Sequence, residues 1–316
     1  MPMKYFVSII VPTYNRAQLL KETIYSLLAQ TYTNFEIIIV SDASTDDTRN
    51  VVVNFKDERI RFFELPSNLR LPSRVRNFGA SKAEGDLIAF CDDDDLWLPN
   101  KLLVQIDQLT DNPKLNLISS RASLFPGYER ILGYIQFRNN VVSYEDLLKD
   151  NTIVTSSVLM RTSMFRALGG FDESITLHIG EDWDLWLRVL RQHDNSIKTL
   201  KSCLVKYRSG NFKITNTYLN LKEIESRYKY LYTKHLPKSK DLLANFDVMS
   251  VYKFLPESSE DTLQTFIVLQ KVLAKEITLT ELFMSGQLDL RFKDKITIIT
   301  KLIYKLLAFR LLKIIS

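Results

Sequence analysis

The first 120 residues alternate between two hydrophobic periods, and this alternation constrains the fold more than any other feature of the sequence. Short apolar runs at 7–11, 35–40 and 87–91 are separated by segments such as 16–30, whose apolar residues recur at helical spacing. Near-continuous apolar runs are typical of parallel strands that are buried on both faces. The sequence therefore predicts an α/β fold with a mostly parallel, Rossmann-like sheet and helices on both faces.

The second predicted helix has a polar start. Ser44 is a suitable N-cap, and Asp46 and Asp47 would lie in the first turn, where the helix dipole favours negative charge. The apolar positions that follow continue the helical spacing as far as Phe55. The sequence therefore predicts a helix over 44–55.

The pattern changes twice along the rest of the chain. Residues 121–215 combine a helix with short strand-like runs, one of them over 155–160. From residue 216 onward the strand–helix alternation disappears, and helical segments are broken by proline and glycine. We therefore expect one domain over 1–215, built from the halves 1–120 and 121–215, followed by a helical region over 216–316.

The net charge of +5 is concentrated near the C-terminus. Residues 1–215 carry 26 basic and 26 acidic side chains, whereas 291–316 carry seven basic side chains and one acidic side chain. A nucleic-acid-binding domain would spread its lysines and arginines over one broad face, so no nucleic-acid partner is expected.

The basic segment 291–316 also has an amphipathic pattern. Lys295, Lys301, Lys305, Arg310 and Lys313 fall within an arc of about 180° of a helical wheel, and large aliphatic side chains fall on the other side. This pattern predicts an interfacial helix in peripheral contact with an anionic membrane surface. The alternative is a terminal helix that packs on its own domain or on a second copy, which would make the protein an oligomer.

Cysteine usage and the N-terminal residues bear on the compartment. Two cysteines, Cys91 and Cys203, do not make a disulfide framework and are typical of a reducing compartment. The apolar run near the N-terminus is too short for a signal peptide or a membrane span. We therefore expect a cytoplasmic protein that associates peripherally with the inner face of the cell membrane.

Polar side chains follow each of the first four predicted strands. The segment 13–16 follows the first strand, Asp42 the second, Asn68 the third and the run 92–95 the fourth. In open α/β sheets, ligands bind outside the carboxyl ends of the strands. We therefore expect these polar residues to line one site.

Four consecutive carboxylates, Asp92 to Asp95, form the strongest candidate site. Adjacent carboxylates repel each other unless a cation lies among them, and their hard oxygen atoms suit Mg²⁺ or Mn²⁺ with substrate phosphates completing the shell. The alternative is an acidic turn that caps the helix beginning at Pro99, although capping needs one carboxylate and not four. The run therefore predicts a divalent metal site.

Two further residues are candidates for ligand binding. Asp42 follows a buried strand and is a candidate hydrogen-bond acceptor for a nucleobase or ribose, with a turn-forming aspartate as the alternative. Arg76 precedes the acidic strand and is a candidate for neutralising phosphates, with a solvated surface arginine as the alternative.

The helix predicted over about 181–191 begins with three acidic residues. Asp182 lies in the first turn beside an apolar stripe that contains Trp183, a partly desolvated position that suits a general base. The alternative is an acidic first turn that serves only the helix dipole. Glu181, Asp184 and Trp183 are further candidates for the site, and packing is the favoured interpretation of Trp183.

Several ordered motifs resemble the family-2 glycosyltransferases of GT-A fold. The resemblance covers roughly residues 5–210 and does not extend over the last hundred residues. The residues that carry it are Val11-Pro12-Thr13-Tyr14-Asn15-Arg16, Val40 to Asp46, Arg76-Asn77-Phe78-Gly79, Phe90 to Trp97 with Pro99 and Lys101, Gly169-Gly170-Phe171-Asp172 and Glu181 to Arg188.

The resemblance implies a metal-dependent, inverting transferase that moves a sugar from a nucleotide-sugar donor, a UDP-sugar being favoured, to a hydroxyl of a carbohydrate or lipid-linked acceptor. It implies a role in the synthesis of cell-surface polysaccharide, lipopolysaccharide or glycan. The half 1–120 would bind the nucleotide sugar and the half 121–215 the acceptor. By motif position, the donor would be bound by Pro12, Thr13, Tyr14, Arg16, Asp42, Arg76, Asp92 and Asp93. Asp92 and Asp94 would hold Mn²⁺ or Mg²⁺. Asp182 would take the proton of the acceptor hydroxyl, with Glu181, Asp184 and Trp183 as further candidates on the acceptor side.

The chain departs from the family pattern at one point. Many relatives carry a metal-binding histidine after the position of Arg208, whereas this chain has Ser209-Gly210-Asn211, so the third protein ligand stays open. The alternatives are a nucleotidyltransferase, a phosphatase with an aspartyl nucleophile, and a sugar-nucleotide-binding protein without catalysis. A nucleotidyltransferase would have a glycine-rich arginine loop after the first strand, which this chain lacks. The phosphatase would place its paired aspartates after the first strand, whereas here they follow the fourth.

Overall fold

The structure is a computed structural model of the 316-residue chain. It describes residues 5–126, 131–132, 140–149, 151–174, 180–208, 230–231 and 233–235. The elements below belong to the first compact unit of the chain, Met1–Thr217, and the second unit is Tyr218–Ser316. The amphipathic segment predicted at 291–316 and most of the predicted helical region lie outside the described residues. In the described part, no helix has both the length and the hydrophobicity needed to cross a membrane.

The described residues form strands and helices that are numbered here in chain order. The strands are β1 (Val7–Thr13), β2 (Phe35–Ser41), β3 (Ile60–Glu64), β4 (Leu87–Phe90), β5 (Leu96–Trp97), β6 (Leu117–Phe125), β7 (Ile131–Leu132), β8 (Leu159–Arg161) and β9 (Ile197–Arg208). The helices are α1 (Ala17–Leu28), α2 (Thr48–Val53), α3 (Pro72–Ser81), α4 (Lys101–Asp111), α5 (Tyr144–Lys149), α6 (Thr162–Ala167) and α7 (Glu181–Gln192).

These strands form one mixed sheet in the order β3-β2-β1-β4-β8-β6-β9-β5, with β7 paired to β6. The first four strands in this order are parallel to one another. Strand β8 then runs antiparallel to both β4 and β6, while β6 and β9 are again parallel. The predicted α/β class with a Rossmann-like parallel region is confirmed, and β8 is the point where the parallel order is interrupted.

Helices pack against both faces of β1, as the sequence predicts. Because side chains alternate along a strand, Ile9 faces the core that also contains Leu20 and Ile24 of α1. Ile10 faces the opposite side, where Gly79 of α3 approaches so closely that a Cβ atom there would lie 2.7 Å from Ile10 Cγ2. The absence of a side chain at Gly79 therefore lets α3 lie directly on the sheet.

The order of the first four strands creates a crevice at one edge of the sheet. The chain passes outward from β1 to β2 and β3, and then returns to place β4 on the other side of β1. Ligand sites in such sheets lie where the strand order reverses, outside the carboxyl ends. Thr13 ends β1 and Asp92 follows β4 closely, so the fold brings these polar segments together.

The start of the second helix was predicted wrongly. Helix α2 begins at Thr48, and Ser44 does not cap it, because the Ser44 hydroxyl oxygen accepts a hydrogen bond from Asn15 N at 3.0 Å. Asp46 Oδ2 likewise accepts a hydrogen bond from Ala17 N, at 2.9 Å, at the start of α1. These polar residues therefore connect the loops after β1 and β2 instead of lengthening α2.

The strand predicted over 155–160 is also different in the structure. Residues Thr155–Ser157 form a single 3₁₀ turn, and only Leu159–Arg161 form the strand β8. The turn redirects the chain so that β8 enters the sheet between β4 and β6. Its hydroxyl-bearing side chains bond to groups at the carboxyl end of the sheet.

Candidate active site

A cavity of about 930 Å³ lies at the carboxyl ends of β1, β2 and β4. Its lining contains most of the residues that the sequence predicts for the site. Those residues are Pro12, Thr13, Tyr14, Arg16, Asp42, Arg76, Asp92, Asp93, Asp94, Glu181 and Asp182. Sequence reasoning missed the other lining residues, which are Arg70, Leu71, Pro72, Val75, Asn151, Thr152, Ile153, Val154, Thr155, Gly180 and Tyr207, and it noted Asn68 only as a polar residue after β3.

Asp93 and Asp94 are buried beneath a single arginine. Their side chains are 6% and 2% exposed, and Arg16 Nη1 lies 3.0 Å from Asp93 Oδ1 and 3.3 Å from Asp94 Oδ2. Burial raises the pKa of Asp93 to about 6, against the opposing effect of the Arg16 guanidinium. Arg16 directly precedes α1, so the turn after β1 places a fixed positive charge over residues 92–95, which are called the acidic loop below.

Asp95 holds the acidic loop in place and does not line the cavity. It is fully buried, and its carboxylate accepts hydrogen bonds from Ser156 Oγ at 2.6 Å and from Arg208 N at 2.9 Å. Arg208 Nε also donates to Asp94 O at 2.8 Å. The end of β9 and the 3₁₀ turn therefore fix the conformation of this loop.

Arg76 joins the acidic loop to the start of α7. Its Nη2 donates to Asp92 Oδ1 at 2.6 Å, and its Nη1 donates to Glu181 Oε1 at 2.7 Å. The Arg76 side chain is only 7% exposed. Its Nε atom is buried without a hydrogen-bond partner among the described residues, as is the Oγ1 atom of Thr152, which also lines the cavity.

In the structure, two arginines balance part of the negative charge of the acidic loop, whereas the sequence predicts a metal ion in this role. The sequence argument required a metal ion among the four carboxylates, whereas Arg16 and Arg76 supply positive charge in the structure. In the described part of the chain, no three acidic, histidine or cysteine side chains are grouped so that they could hold a metal ion.

The residues present nevertheless fit a metal ion that binds together with phosphates. Asp92 and Asp94 both line the cavity, and the Asp92 side chain is 29% exposed. At phosphate sites, Mg²⁺ typically takes one or two protein carboxylates and completes its shell with phosphate and water oxygens. Residues 209–211, the position at which the family resemblance implies a metal-binding histidine, lie outside the described residues.

Glu181 and Asp182 begin α7 and have different surroundings. Glu181 is buried, and its oxygens are occupied by Arg76 and by the backbone N–H of Gly180. Burial raises the pKa of Glu181 to about 7, against the effect of Arg76 and with a smaller contribution from the Asp182 charge. Asp182 is partly exposed, and its Oδ2 accepts a hydrogen bond from Thr155 Oγ1 at 2.8 Å.

Trp183 and Asp184, which the sequence offered as candidates for the acceptor side, do not line the cavity. The Trp183 indole N–H donates to Leu147 O at 2.6 Å, which packs α7 against α5. Asp184 is fully buried and accepts a hydrogen bond from Arg188 Nε at 2.8 Å, while Arg188 Nη2 donates to Gly170 O at 2.7 Å. Both side chains therefore stabilise the packing of α7.

Asp42 organises the loop that closes the opposite end of the cavity. Its Oδ1 accepts a hydrogen bond from Leu69 N at 2.7 Å. Burial raises the pKa of Asp42, against the effect of the backbone N–H groups of Leu69 and Arg70. The Tyr14 side chain, 45% exposed, lies at this cavity and is available to cover a ligand.

Comparison with known proteins identifies the family. Residues 8–167 match the model of the family described as Glycosyl transferase family 2. The chain belongs to this family. As a family-2 glycosyltransferase it is an enzyme, and the nucleotidyltransferase and phosphatase alternatives are therefore rejected.

Curated relatives of this glycosyltransferase are about 30% identical to it over the aligned regions. An uncharacterised glycosyltransferase of Rickettsia typhi is 32% identical over 243 residues, which is 73% of this chain and 72% of the relative. The Escherichia coli protein WfgD, named UDP-Glc:alpha-D-GlcNAc-diphosphoundecaprenol beta-1,3-glucosyltransferase, is 29% identical over 72% of this chain and 85% of its own length. The Bacillus subtilis protein TuaG, named a putative teichuronic acid biosynthesis glycosyltransferase, is 30% identical over 67% of this chain and 82% of its own length.

Solved structures confirm the GT-A fold of the enzyme. A fragment of S. aureus TarS in complex with UDP-GlcNAc aligns with a TM-score of 0.62 and 18% identity, over 85% of this chain and 80% of that chain. The mannosyltransferase PcManGT of Pyrobaculum calidifontis, in complex with GDP-Man and Mn²⁺, aligns with a TM-score of 0.58 and 17% identity, over 97% of this chain and 86% of that chain.

Proposed function

We propose that the enzyme transfers a sugar from a UDP-sugar to a hydroxyl group of a carbohydrate or lipid-linked acceptor, in a metal-dependent reaction with inversion. The observation that carries this proposal is the shared cavity, in which an acidic loop held by arginines faces the partly exposed carboxylate of Asp182. Family membership defines the reaction class, and the cavity supports the assignment of roles within it.

The nucleotide would bind at the end of the cavity formed by the loops after β1, β2 and β3. Asp42 offers a buried hydrogen-bond acceptor to the nucleobase or ribose, and the exposed ring of Tyr14 is suited to cover it. The favoured nucleotide is UDP because the name of WfgD specifies UDP-Glc and the TarS fragment was solved with UDP-GlcNAc. Pro12 and Thr13 would form the floor of this subsite, with Asp93 toward the ribose.

The diphosphate would lie beside the acidic loop. Asp92 and Asp94 would hold Mn²⁺ or Mg²⁺ there, and PcManGT is a structural neighbour with bound Mn²⁺. When bound, such an ion supplies positive charge that stabilises the departing diphosphate. Arg16 and Arg76 add positive charge of their own at this position.

Asp182 would act as the general base. Its carboxylate takes the proton of the acceptor hydroxyl while that oxygen forms a bond to the anomeric carbon, and the bond from this carbon to the diphosphate breaks on the opposite side. Glu181 is less suited to this role because it is buried and ion-paired with Arg76, whereas Asp182 is partly exposed and accepts its hydrogen bonds from the neutral hydroxyl of Thr155 and from a backbone N–H. Glu181 would instead hold Arg76 in position.

The setting of the reaction is proposed from the relatives. WfgD is named for a diphosphoundecaprenol-linked acceptor and TuaG for teichuronic acid synthesis, so we place this enzyme in cell-surface polysaccharide or glycan synthesis at the inner face of the membrane.

The basic segment 291–316 would bring the enzyme to an anionic membrane surface. Flotation with anionic vesicles should be lost when the chain is truncated near Leu290, and equal flotation of both forms would contradict this contact.

A thermal-shift panel tests the donor assignment. The enzyme is mixed with UDP-, GDP-, dTDP- and CMP-sugars, each with and without Mn²⁺, because a ligand at 100 times its Kd adds about 2.7 kcal/mol of stability. Stabilisation by a UDP-sugar that depends on Mn²⁺, followed by release of UDP on addition of acceptor, is the expected result. Selective stabilisation by another nucleotide, or no dependence on Mn²⁺, would contradict the proposal.

A further inference from the structure

The 3₁₀ turn Thr155–Ser157 lies between the acidic loop and the start of α7, and none of its residues was predicted for the site. Two of its hydroxyl groups bond in opposite directions. Ser156 bonds to the acidic loop, and Thr155 bonds to Asp182. The turn therefore connects the proposed phosphate-binding side of the cavity to the proposed general base.

The turn is held firmly to the acidic loop. Ser156 Oγ donates to Asp95 Oδ2 at 2.6 Å and accepts from Asp92 N at 3.0 Å. The carbonyl oxygen of Ser156 accepts a hydrogen bond from the Trp97 indole N–H at 2.8 Å. Ser156 is fully buried, so these bonds are protected from competition with water.

The hydroxyl group of Thr155 is the element of the turn that reaches Asp182. Thr155 Oγ1 donates to Asp182 Oδ2 at 2.8 Å. The other oxygen, Asp182 Oδ1, accepts a hydrogen bond from the adjacent backbone N–H of Trp183 at 2.6 Å. An aspartate in the first turn of a helix has more than one staggered side-chain conformation available. In the structure, the bond from Thr155 and the bond from the Trp183 N–H hold the carboxylate of Asp182, a residue that lines the cavity.

We infer that Thr155 is a positioning residue, which fixes the Asp182 carboxylate relative to the acidic loop so that the acceptor hydroxyl and the donor meet in the geometry required for transfer. This inference rests on the proposed role of Asp182 as the base. Its physical basis is that a base misplaced by about 1 Å costs up to about 100-fold in rate. The turn is suited to this role because its adjacent residues Thr155 and Ser156 bond to opposite sides of the cavity.

The first test is structural and does not depend on turnover. Crystal structures of Thr155→Val and Thr155→Ser are compared with that of the unmodified enzyme. In Thr155→Val, which keeps the shape but removes the hydroxyl, the Asp182 carboxylate should leave its position or occupy two conformations. In Thr155→Ser it should stay in place. A single unchanged Asp182 conformation in Thr155→Val would overturn the inference, and Thr155→Ala serves the same comparison if the valine variant does not fold.

The second test separates positioning from binding. With the UDP-sugar selected by the thermal-shift panel and Mn²⁺, Thr155→Val should lower kcat by about 10- to 100-fold. The KM for the donor and the Kd for UDP should change by less than about twofold, and Thr155→Ser should recover most of the lost rate. A kcat for Thr155→Val equal to that of the unmodified enzyme would overturn the inference.

Thr199→Val is the matched control for loss of a buried hydroxyl. Thr199 is about as buried as Thr155, and its Oγ1 lies 2.7 Å from Ser119 Oγ, away from the residues that line the cavity. The Thr199→Val variant should lower the stability of the enzyme without lowering kcat. A parallel Asp182→Asn variant separates the two proposals. Normal turnover of Asp182→Asn would contradict the assignment of Asp182 as the base. An inactive Asp182→Asn together with a fully active Thr155→Val would contradict only the positioning role of Thr155.

Discussion

The acidic loop after β4 and the first turn of α7 both bring carboxylates to one cavity, but they hold them by different means. Asp93 and Asp94 are buried and lie against the guanidinium of Arg16. Asp182 is partly exposed and is held by the neutral hydroxyl of Thr155. A carboxylate paired with arginine keeps its negative charge at a fixed place, which suits the binding of a metal ion and a diphosphate. A carboxylate bonded to a hydroxyl remains available to accept a proton.

Removal of the metal ion tests the acidic loop and should have the largest effect. EDTA should abolish transfer, and Mn²⁺ or Mg²⁺ should restore it, because Arg16 and Arg76 are already paired with carboxylates and are not enough by themselves to neutralise the diphosphate. Asp94→Asn should lose activity while remaining folded, whereas Asp111→Asn at the exposed end of α4 should be fully active. Full activity in the chelator would show that arginines alone stabilise the leaving group.

Substitution of the proposed base tests the other side of the comparison. Asp182→Asn keeps the shape and hydrogen bonding of the side chain but cannot accept the acceptor proton, so kcat should fall by about 10²- to 10⁴-fold. The Kd for UDP, measured by calorimetry, should not change because Asp182 is not assigned to the nucleotide. If UDP affinity falls together with turnover, the division between a binding side and a proton-accepting side is wrong.

The nucleotide end of the cavity should respond more weakly. Asp42→Ala removes a buried acceptor and should weaken UDP binding by about 1–3 kcal/mol, the usual cost of leaving a buried polar partner unpaired. The readout is the Kd for UDP by calorimetry, with Asp46→Ala as a control that disturbs the neighbouring loop without touching the cavity. An unchanged Kd in Asp42→Ala would make Asp42 a turn residue only.

The smallest effect concerns the dependence of stability on pH. Burial raises the pKa of Glu181 from 4.5 to about 7, so between these values the folded protein holds a proton that the unfolded chain has released. Stability should therefore fall as the pH rises from about 4.5 to about 7. Asp93, whose pKa burial raises to about 6, acts in the same direction over the lower part of this window.

Glu181→Gln isolates the contribution of α7 to this dependence. The melting temperature of the variant should fall less steeply with pH than that of the unmodified enzyme. The difference in slope should be largest near about pH 6, between the two pKa values of Glu181, because Asp93 contributes equally to both proteins. Parallel curves for the two proteins would contradict the assignment to Glu181.

Much of the fold follows from patterns that are local in the chain. The near-continuous apolar runs of β1, β2 and β4 predict buried parallel strands, and the structure contains them. The helix predicted at 181–191 is α7 with almost the same limits. Helix α2 was predicted too long because Ser44 and Asp46 bond to the loop after β1, a partner that no pattern within 44–55 can reveal.

The sequence by itself determined the α/β class, the family and the set of polar residues at the strand ends, because these depend on hydrophobic periods and on motifs that span only a few residues. Only the tertiary structure decided which side chains pair. Arg76 and Glu181 are 105 residues apart, Arg16 and Asp93 are 77 apart, and Thr155 and Asp182 are 27 apart. Such pairs form only when the sheet has brought distant loops to one edge, so the arginines that balance the acidic loop and the hydroxyl that holds Asp182 could not be predicted from local spacing.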